Sequence, residues 1–389
     1  KYWRKYLPSE EVGIPLSLSP LESGGGAWSY SMNMLLAIPR LHAHLGTNRG
    51  NILRSVSSSA SNYYQAWQVV EQDDGSYKGG EQTLATEHLP HIDDGVLIRV
   101  THSSLNYKDA LSASGNRGVT RKFPHTPGID AVGINVRDAT PALVTGYDLG
   151  MNTAGGYGEF IRVPKDWIAT LPFTEPRVAM IYGTAGLTAG LCVQKLLEMG
   201  ARPSQGPVVV TGATGAVGTV AVELLAKLGF EVVAVSGKAA QRERLLELGA
   251  TEVLGRDALE ASKKPMLKPI FANAVDTVGG PVLAELLKQI LPGGSVSCCG
   301  LVAGVNLETT VLPFILRGVN LLGVDSVEIP LAQKQQVWDK LAGDWACPKT
   351  EAAAIDIGRH QLDAHLEAFL KGSNSGKVVL DHSLTKNNE

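Results

Sequence analysis

The stretch Val208-Val-Val-Thr211-Gly212-Ala-Thr-Gly215-Ala-Val-Gly218-Thr-Val-Ala-Val-Glu-Leu-Leu-Ala-Lys-Leu228 decides the fold. A short apolar run, Val208–Thr211, ends on a glycine. Two more glycines follow at three-residue spacing, and an apolar-striped run over Val217–Leu228 closes the unit as a helix. A strand that delivers the chain to a helix N-terminus leaves unpaired N–H groups and the positive end of the helix dipole facing the space above the turn, so an anion is favoured there. Glycine keeps that space open. The spacing G-x-x-G-x-x-G departs from the common G-x-G-x-x-G, and the strand–turn–helix frame is what makes Gly212, Gly215 and Gly218 a dinucleotide signal instead of an ordinary tight turn.

The same alternation continues downstream: strand Glu231–Ser236, helix Gln241–Leu248, strand Asn273–Val278, helix Pro281–Ile290 and strand Ser295–Gly300. Repeated βα units call for an α/β fold, a doubly wound parallel sheet with helices on both faces. Upstream, Ala66–Glu71, a turn at Asp73-Asp74-Gly75 and the alternating Gly95–Ser103 read as strands, and mostly β-structure is expected up to about Tyr182. A helix is predicted over Leu187–Met199. Beyond Gly323 come a helix at Leu331–Leu341 and a strand at Lys377–Leu380 that returns to complete the first domain.

The second strand of the βα series ends at Ser236-Gly237-Lys238, where an NAD enzyme usually presents an acid to the ribose 2′-hydroxyl. No acid is there. A hydroxyl, a glycine and a cation suit a 2′-phosphate, which points to NADPH, with Arg242, Arg244 and Arg256 as candidate further charges.

The bulk composition narrows the classes. In 389 residues, 44% hydrophobic and 19% charged, there is room for two globular domains. The formal charge of −3 and the lack of a basic tract argue against a nucleic-acid surface, and no apolar run is long enough to span a membrane. Four cysteines, two of them adjacent, make neither a disulfide framework nor a four-thiolate zinc site. His102 and His125 lack ligand spacing, so no metal is expected.

Residues 1–63 read as a leader. From Ser23 to Val70 there is no Asp or Glu, while Arg40, Arg49 and Arg54 accompany a serine cluster at 55–61, the composition of an organelle transit peptide. A mitochondrial matrix destination is expected, or the cytoplasm if the leader carries no address. Met32 and Met34 are candidate starts, which makes residues 1–31 look like translated upstream sequence. Beyond residue 70 the chain holds 29 basic and 35 acidic residues, a net −6.

Ser103-Ser-Leu-Asn106-Tyr107-Lys108-Asp109-Ala-Leu, Pro127-Gly-Ile-Asp130, Gly183-Thr-Ala-Gly186, the glycine turn, Asp276-Thr-Val-Gly279 and Pro313-Phe-Ile-Leu-Arg317 occur together and in order. With these motifs the chain resembles the acrylyl-CoA reductase, quinone-oxidoreductase-like branch of the zinc-free medium-chain dehydrogenase/reductases, from about Ala66 to Leu380. The resemblance implies a GroES-like β-rich catalytic domain, 64–182 with 323–389, and a Rossmann domain, 183–322. It also implies a cleft between them for NADPH and substrate, and a homodimer. By position it assigns Tyr107, Thr214, Gly215, Ala216, Val217, Ser236, Gly237, Lys238, Arg256, Leu301, Ile315 and Asn374 to the cofactor. The family has arginine where Lys238 stands, so the charge is kept and the bidentate fork lost.

For an α,β-unsaturated thioester, enone or quinone substrate, hydride goes to the β-carbon and charge develops on the carbonyl oxygen. Candidates to stabilise it are the Tyr107 hydroxyl, the Asn106 amide and backbone N–H groups, with Tyr107 or water as proton donor and Asp109 as an orienting group. The segment 135–145 is shorter than the family's, which predicts a truncated strand. The loop 150–159 keeps its glycines but loses bulky residues that border the substrate site, so substrate choice is expected to differ. A catalytically weak NADP-binding subunit with a structural role in a larger complex is the competing reading, supported by the shortened segment and the leader.

Overall fold

The structure is a computed structural model and describes residues 62–374 and 376–385, so the leader reading lies almost wholly outside the described residues. Six parallel strands form one sheet, in the spatial order Glu252–Leu254, Val232–Val235, Val208–Thr211, Asn273–Asp276, Ser295–Cys298, Asn320–Gly323. Numbered along the chain this is 3-2-1-4-5-6, and the order reverses between Val208–Thr211 and Asn273–Asp276. Val208 and Val210 pack into the core on one face, and Val209 into the core on the other. Burial on both faces explains why these strands read as continuous apolar runs.

The second sheet is built from both ends of the chain. Strand Val96–Ser104 pairs antiparallel with Asp130–Asn135, with Phe160–Val163 and with Val378–Asp381. The carboxy-terminal strand thus returns to the first domain, as the sequence predicts. A hairpin of Tyr63–Glu71 and Tyr77–Ala85 lies beside it, turning at Gly75 with φ 79°.

Two expectations need correction. The strand after residue 140 is intact: Pro141–Thr145 pairs with Asp130–Asn135 in continuous register from Asp130 opposite Thr145 to Ile134 opposite Pro141. The shortening is absorbed by the turn, where the Ala139 N–H donates to the Asn135 carbonyl at 2.9 Å. The helix predicted from Leu187 begins at Pro176 and runs to Glu198, so the chain is helical, not β, before Tyr182. From Ala179 to Gly183 it is buried on every side, which erases the 3.6-residue pattern, and Gly183 (φ 50°, ψ −158°) breaks its regular geometry.

Candidate active site

Thr211 ends the central strand at the reversal, and the turn rises from it. Gly212 takes φ 59°, and a Cβ there would sit 2.3 Å from Thr277 Oγ1. A Cβ on Gly218 would lie 2.3 Å from the Gly212 carbonyl oxygen and 2.7 Å from Ala213 Cα, so this glycine lets the helix Ala216–Lys227 press against the strand end. Gly215 is different. Its nearest neighbour would be 3.2 Å away, so its missing side chain serves what approaches from outside. Asp276 fastens the two strands at the reversal, accepting from Thr211 Oγ1 at 2.7 Å and from the Gly279 N–H at 2.8 Å.

At the end of the neighbouring strand, the Ser236 hydroxyl lies 3.1 Å from Thr214 Oγ1 and accepts from the Lys238 N–H at 3.1 Å. The Lys238 ammonium donates to the Asn374 carbonyl, and a Cβ on Gly237 would meet the Arg256 guanidinium at 2.2 Å. Thus Ser236, Gly237, Lys238, Arg256 and Asn374 come together beside Thr214, from segments as far apart as 136 residues. Burial and the Arg256 charge hold the Lys238 ammonium below the usual lysine value. Arg242 and Arg244 are occupied elsewhere, donating to the carbonyls of Val253 and Lys349.

Leu301 follows the strand Ser295–Cys298 and lines a cavity of about 470 Å³ with Cys299, Lys195 and Asp325. Ile315 stands 69% exposed on the helix Leu312–Arg317, whose Pro313 is buried instead. Val302, Val305, Val311 and Leu316 are exposed in the same segment.

Tyr107 is 40% exposed at the first position of the helix Tyr107–Ala113. Beneath it is a buried polar cluster. Asn106 caps this helix, and Asp109 returns to the Asn106 N–H at 2.9 Å. The other Asp109 oxygen accepts from the Gly128 and Ile129 N–H groups at 3.1 and 2.9 Å. The Asn106 amide donates to Asp130 Oδ2 at 2.8 Å, to Ser104 Oγ at 3.0 Å and to Asp109 Oδ2 at 3.3 Å. Its two protons are used inside the protein, which leaves none for a substrate oxygen in this arrangement.

Asp130 is the centre of that cluster and was missed as a site residue, although its Pro-Gly-Ile-Asp motif stood out. It accepts from Ser104 Oγ, from Asn106, from the Thr184 N–H at 2.9 Å and from Thr184 Oγ1 at 2.5 Å. Thr184 follows Gly183, so Asp130 receives the amide freed where the long helix loses its regular geometry. A Cβ on Gly183 would stand 2.7 Å from Asp130 Oδ2, which with the positive φ requires glycine. Lys377, buried and donating to the Tyr182 carbonyl at 3.0 Å, is pulled down to about 8 by burial, against the Asp130 charge. Glycines of the 150–159 loop pack on the same motif: a Cβ on Gly155 would meet the Gly128 carbonyl at 2.4 Å.

Burial and the Asp130 charge push the Asp109 carboxyl up to about 7, against the N–H groups of Ile129 and Asn106 that pull it down. The folded protein therefore holds this proton where the unfolded chain has released it. The resulting stabilisation is full below about pH 4 and is lost as pH rises toward 7. The stability difference between the native protein and Asp109→Asn is expected to shrink over that window in urea titrations. A pH-independent difference would contradict the assignment.

Over residues 216–343 the chain matches the family described as zinc-binding dehydrogenase. It is 44% identical over 320 residues to the probable acrylyl-CoA reductase AcuI of Escherichia coli, covering 80% of this chain and 98% of that one. The chain belongs to the zinc-free medium-chain dehydrogenase/reductases, in the acrylyl-CoA reductase and quinone-oxidoreductase-like branch. The structure of the Salmonella enterica yhdH oxidoreductase, in complex with NADP, superposes on this reductase with a TM-score of 0.78 at 43% identity, over 82% of this chain and 99% of that one. Bacillus subtilis yhfP, with NAD bound, gives 0.79 at 38% identity, over 82% and 100%. The reductase fold, a Rossmann domain joined to a GroES-like domain, is thus common to all three. Among the described residues no group of three or more His, Cys, Asp or Glu is arranged to hold a metal, and no helix is long and apolar enough to cross a membrane.

Proposed function

We propose that the protein uses NADPH to reduce a carbon–carbon double bond conjugated to a carbonyl, with an acrylyl-CoA-like enoyl thioester as substrate. The convergence of Lys238, Arg256 and Asn374 on Gly237 beside the glycine turn carries this reading, because two cations at the end of the second strand suit a 2′-phosphate. The residues fit the cofactor: Gly212, Thr214, Gly215, Ala216, Val217 and Gly218 would hold the pyrophosphate, and Leu301 the nicotinamide side. Bound there, NADPH supplies the hydride. Tyr107 opens the helix that Asn106 caps and Asp109 anchors, and its exposed side chain is free to deliver a proton.

Short quinones and enones are the second substrate class, favoured by the relative described as a quinone oxidoreductase, yhfP of Bacillus subtilis. Absorbance at the NADPH band, followed with acrylyl-CoA and then a short quinone, tests the reading. Oxidation with acrylyl-CoA is expected to be the faster. No oxidation with either substrate alongside tight NADPH binding would favour the structural subunit of a larger complex. Lys238→Ala is expected to weaken NADPH by about tenfold or more and NADH by much less, in fluorescence titrations, since one charge-assisted contact is worth about 1.5–3 kcal/mol. Equal losses would remove the 2′-phosphate assignment.

The exposed apolar segment from Leu301 to Leu316 favours a homodimer, with two copies covering it. The acid-free, serine- and arginine-bearing stretch before residue 70 favours delivery to the mitochondrial matrix. Amino-terminal sequencing of the mature protein checks that address.

A further inference from the structure

We propose that Glu223 is a positioning residue for hydride transfer, locking the helix that follows the glycine turn to the segment that leads into the second sheet; the role rests on the double-bond-reductase reading above. Glu223 is the sole acid of the helix Ala216–Lys227 and is 5% exposed. A carboxyl group is costly to bury, and here both of its oxygens are used. Oε1 accepts from the Lys349 N–H at 2.8 Å, and Oε2 accepts from the Thr350 N–H at 2.7 Å and from Thr350 Oγ1 at 2.6 Å. These donors stand in the first turn of the short helix Pro348–Ala352, whose N–H groups have no partner within that helix. The chain then runs into the strand Ile355–Ile357, which pairs with Val378–Asp381 in the second sheet. An apolar side chain of similar size would pack there without the desolvation cost, so what the carboxylate adds is direction: three bonds to one side chain fix the register of the two helices.

The lock continues inward. The Cys347 N–H donates to the Tyr182 hydroxyl at 2.7 Å, and that hydroxyl donates to Glu351 Oε1 at 2.5 Å. Tyr182 is buried, and its carbonyl accepts from Lys377 at 3.0 Å. Two residues on, Thr184 gives its N–H and its hydroxyl to Asp130. Asp130 accepts in turn from Asn106, which caps the helix that opens with Tyr107. The helix above the glycine turn and the helix of Tyr107 are therefore joined through successive hydrogen-bonded groups, with Glu223 at the first link.

The residues assigned to the cofactor lie at one end of this connection and Tyr107 at the other. Hydride transfer is sensitive to such alignment, because a displacement of about 1 Å costs on the order of 100-fold in rate. Glu223 acts through residues 347–351 and touches no reacting atom.

The test compares the full-length protein with Glu223→Ala and Glu223→Gln. Single-turnover NADPH oxidation with acrylyl-CoA and NADPH affinity are measured, together with thermal unfolding and amide hydrogen exchange of the cofactor-free proteins. Glu223→Ala is expected to slow hydride transfer by about tenfold or more at a temperature where it is fully folded, with NADPH affinity within about threefold of native. Its amide exchange should accelerate at Lys349 and Thr350 and also at Cys347 and Thr184, which Glu223 does not touch. Glu223→Gln keeps an acceptor oxygen for Thr350 and should recover at least about a third of the native rate. If Glu223→Ala does not fold, Tyr182→Phe breaks the next link and gives the same comparison of rate and affinity. An Ala variant that unfolds earlier yet transfers hydride within about threefold of the native rate, or one whose loss resides wholly in NADPH affinity, overturns the inference. Faster exchange confined to Lys349 and Thr350 overturns it too. A native protein that transfers hydride to no conjugated carbonyl overturns the reductase reading and this inference with it, whereas an active native protein with a normal Ala variant overturns the inference alone.

Discussion

Asp130→Asn lowers stability by about 3–5 kcal/mol and slows turnover, the largest effect expected of any change that preserves shape. The carboxylate takes hydrogen bonds from Ser104, Asn106 and both donors of Thr184. An amide in its place turns one acceptor into an NH₂ that faces donors, so at least one buried N–H or O–H loses its partner. The damage spreads to function because Asn106 caps the helix that opens with Tyr107. Thermal unfolding and kcat should fall together, and a second change that removes the facing donor, Thr184→Val, should restore part of the stability. Native stability in the single variant would mean that the cluster is not a unit.

Gly218→Ala and Gly215→Ala are expected to fail in different ways. At Gly218 the new carbon meets backbone at 2.3 and 2.7 Å, so the helix must move off the strand end, costing about 1–3 kcal/mol and misplacing the amides that face the pyrophosphate. At Gly215 the neighbouring carbonyl at 3.2 Å yields by a few tenths of an ångström, and the protein should fold almost normally. NADPH affinity should fall in both variants, but only Gly218→Ala should also lower the unfolding midpoint. Calorimetry of the free and NADPH-bound proteins separates the two. Equal stabilities would show that the third glycine is not there for helix–strand packing.

These contrasts also mark what a reader of the sequence can and cannot recover. The strand Val208–Thr211 and its turn are legible because the signal is local: four residues buried on both faces, then glycines at fixed spacing. The first half of the helix Pro176–Glu198 is not, since Ala179–Tyr182 are buried all round and carry no helical periodicity, while Gly183 reads as a break. The strand Pro141–Thr145 seemed lost because its turn is short, but antiparallel pairing to Asp130–Asn135 needs only a tight loop. Asp130 illustrates the main difficulty. Its motif is visible, yet its role depends on Thr184, 54 residues away, and on a backbone kink that no spacing announces. The meeting of Lys238 with Asn374 is of the same kind. It came from family resemblance, and neither residue's neighbours in sequence hint at it.

The most direct measurement of the central claim follows the hydride itself. NADPH carrying deuterium on the nicotinamide carbon that gives up hydride is incubated with the protein and acrylyl-CoA, and the product is analysed by mass spectrometry and NMR. Conjugate reduction predicts propionyl-CoA with the deuterium on the β-carbon and a solvent proton on the α-carbon. Deuterium on the α-carbon or on a carbinol carbon, or no label in the product, would contradict it.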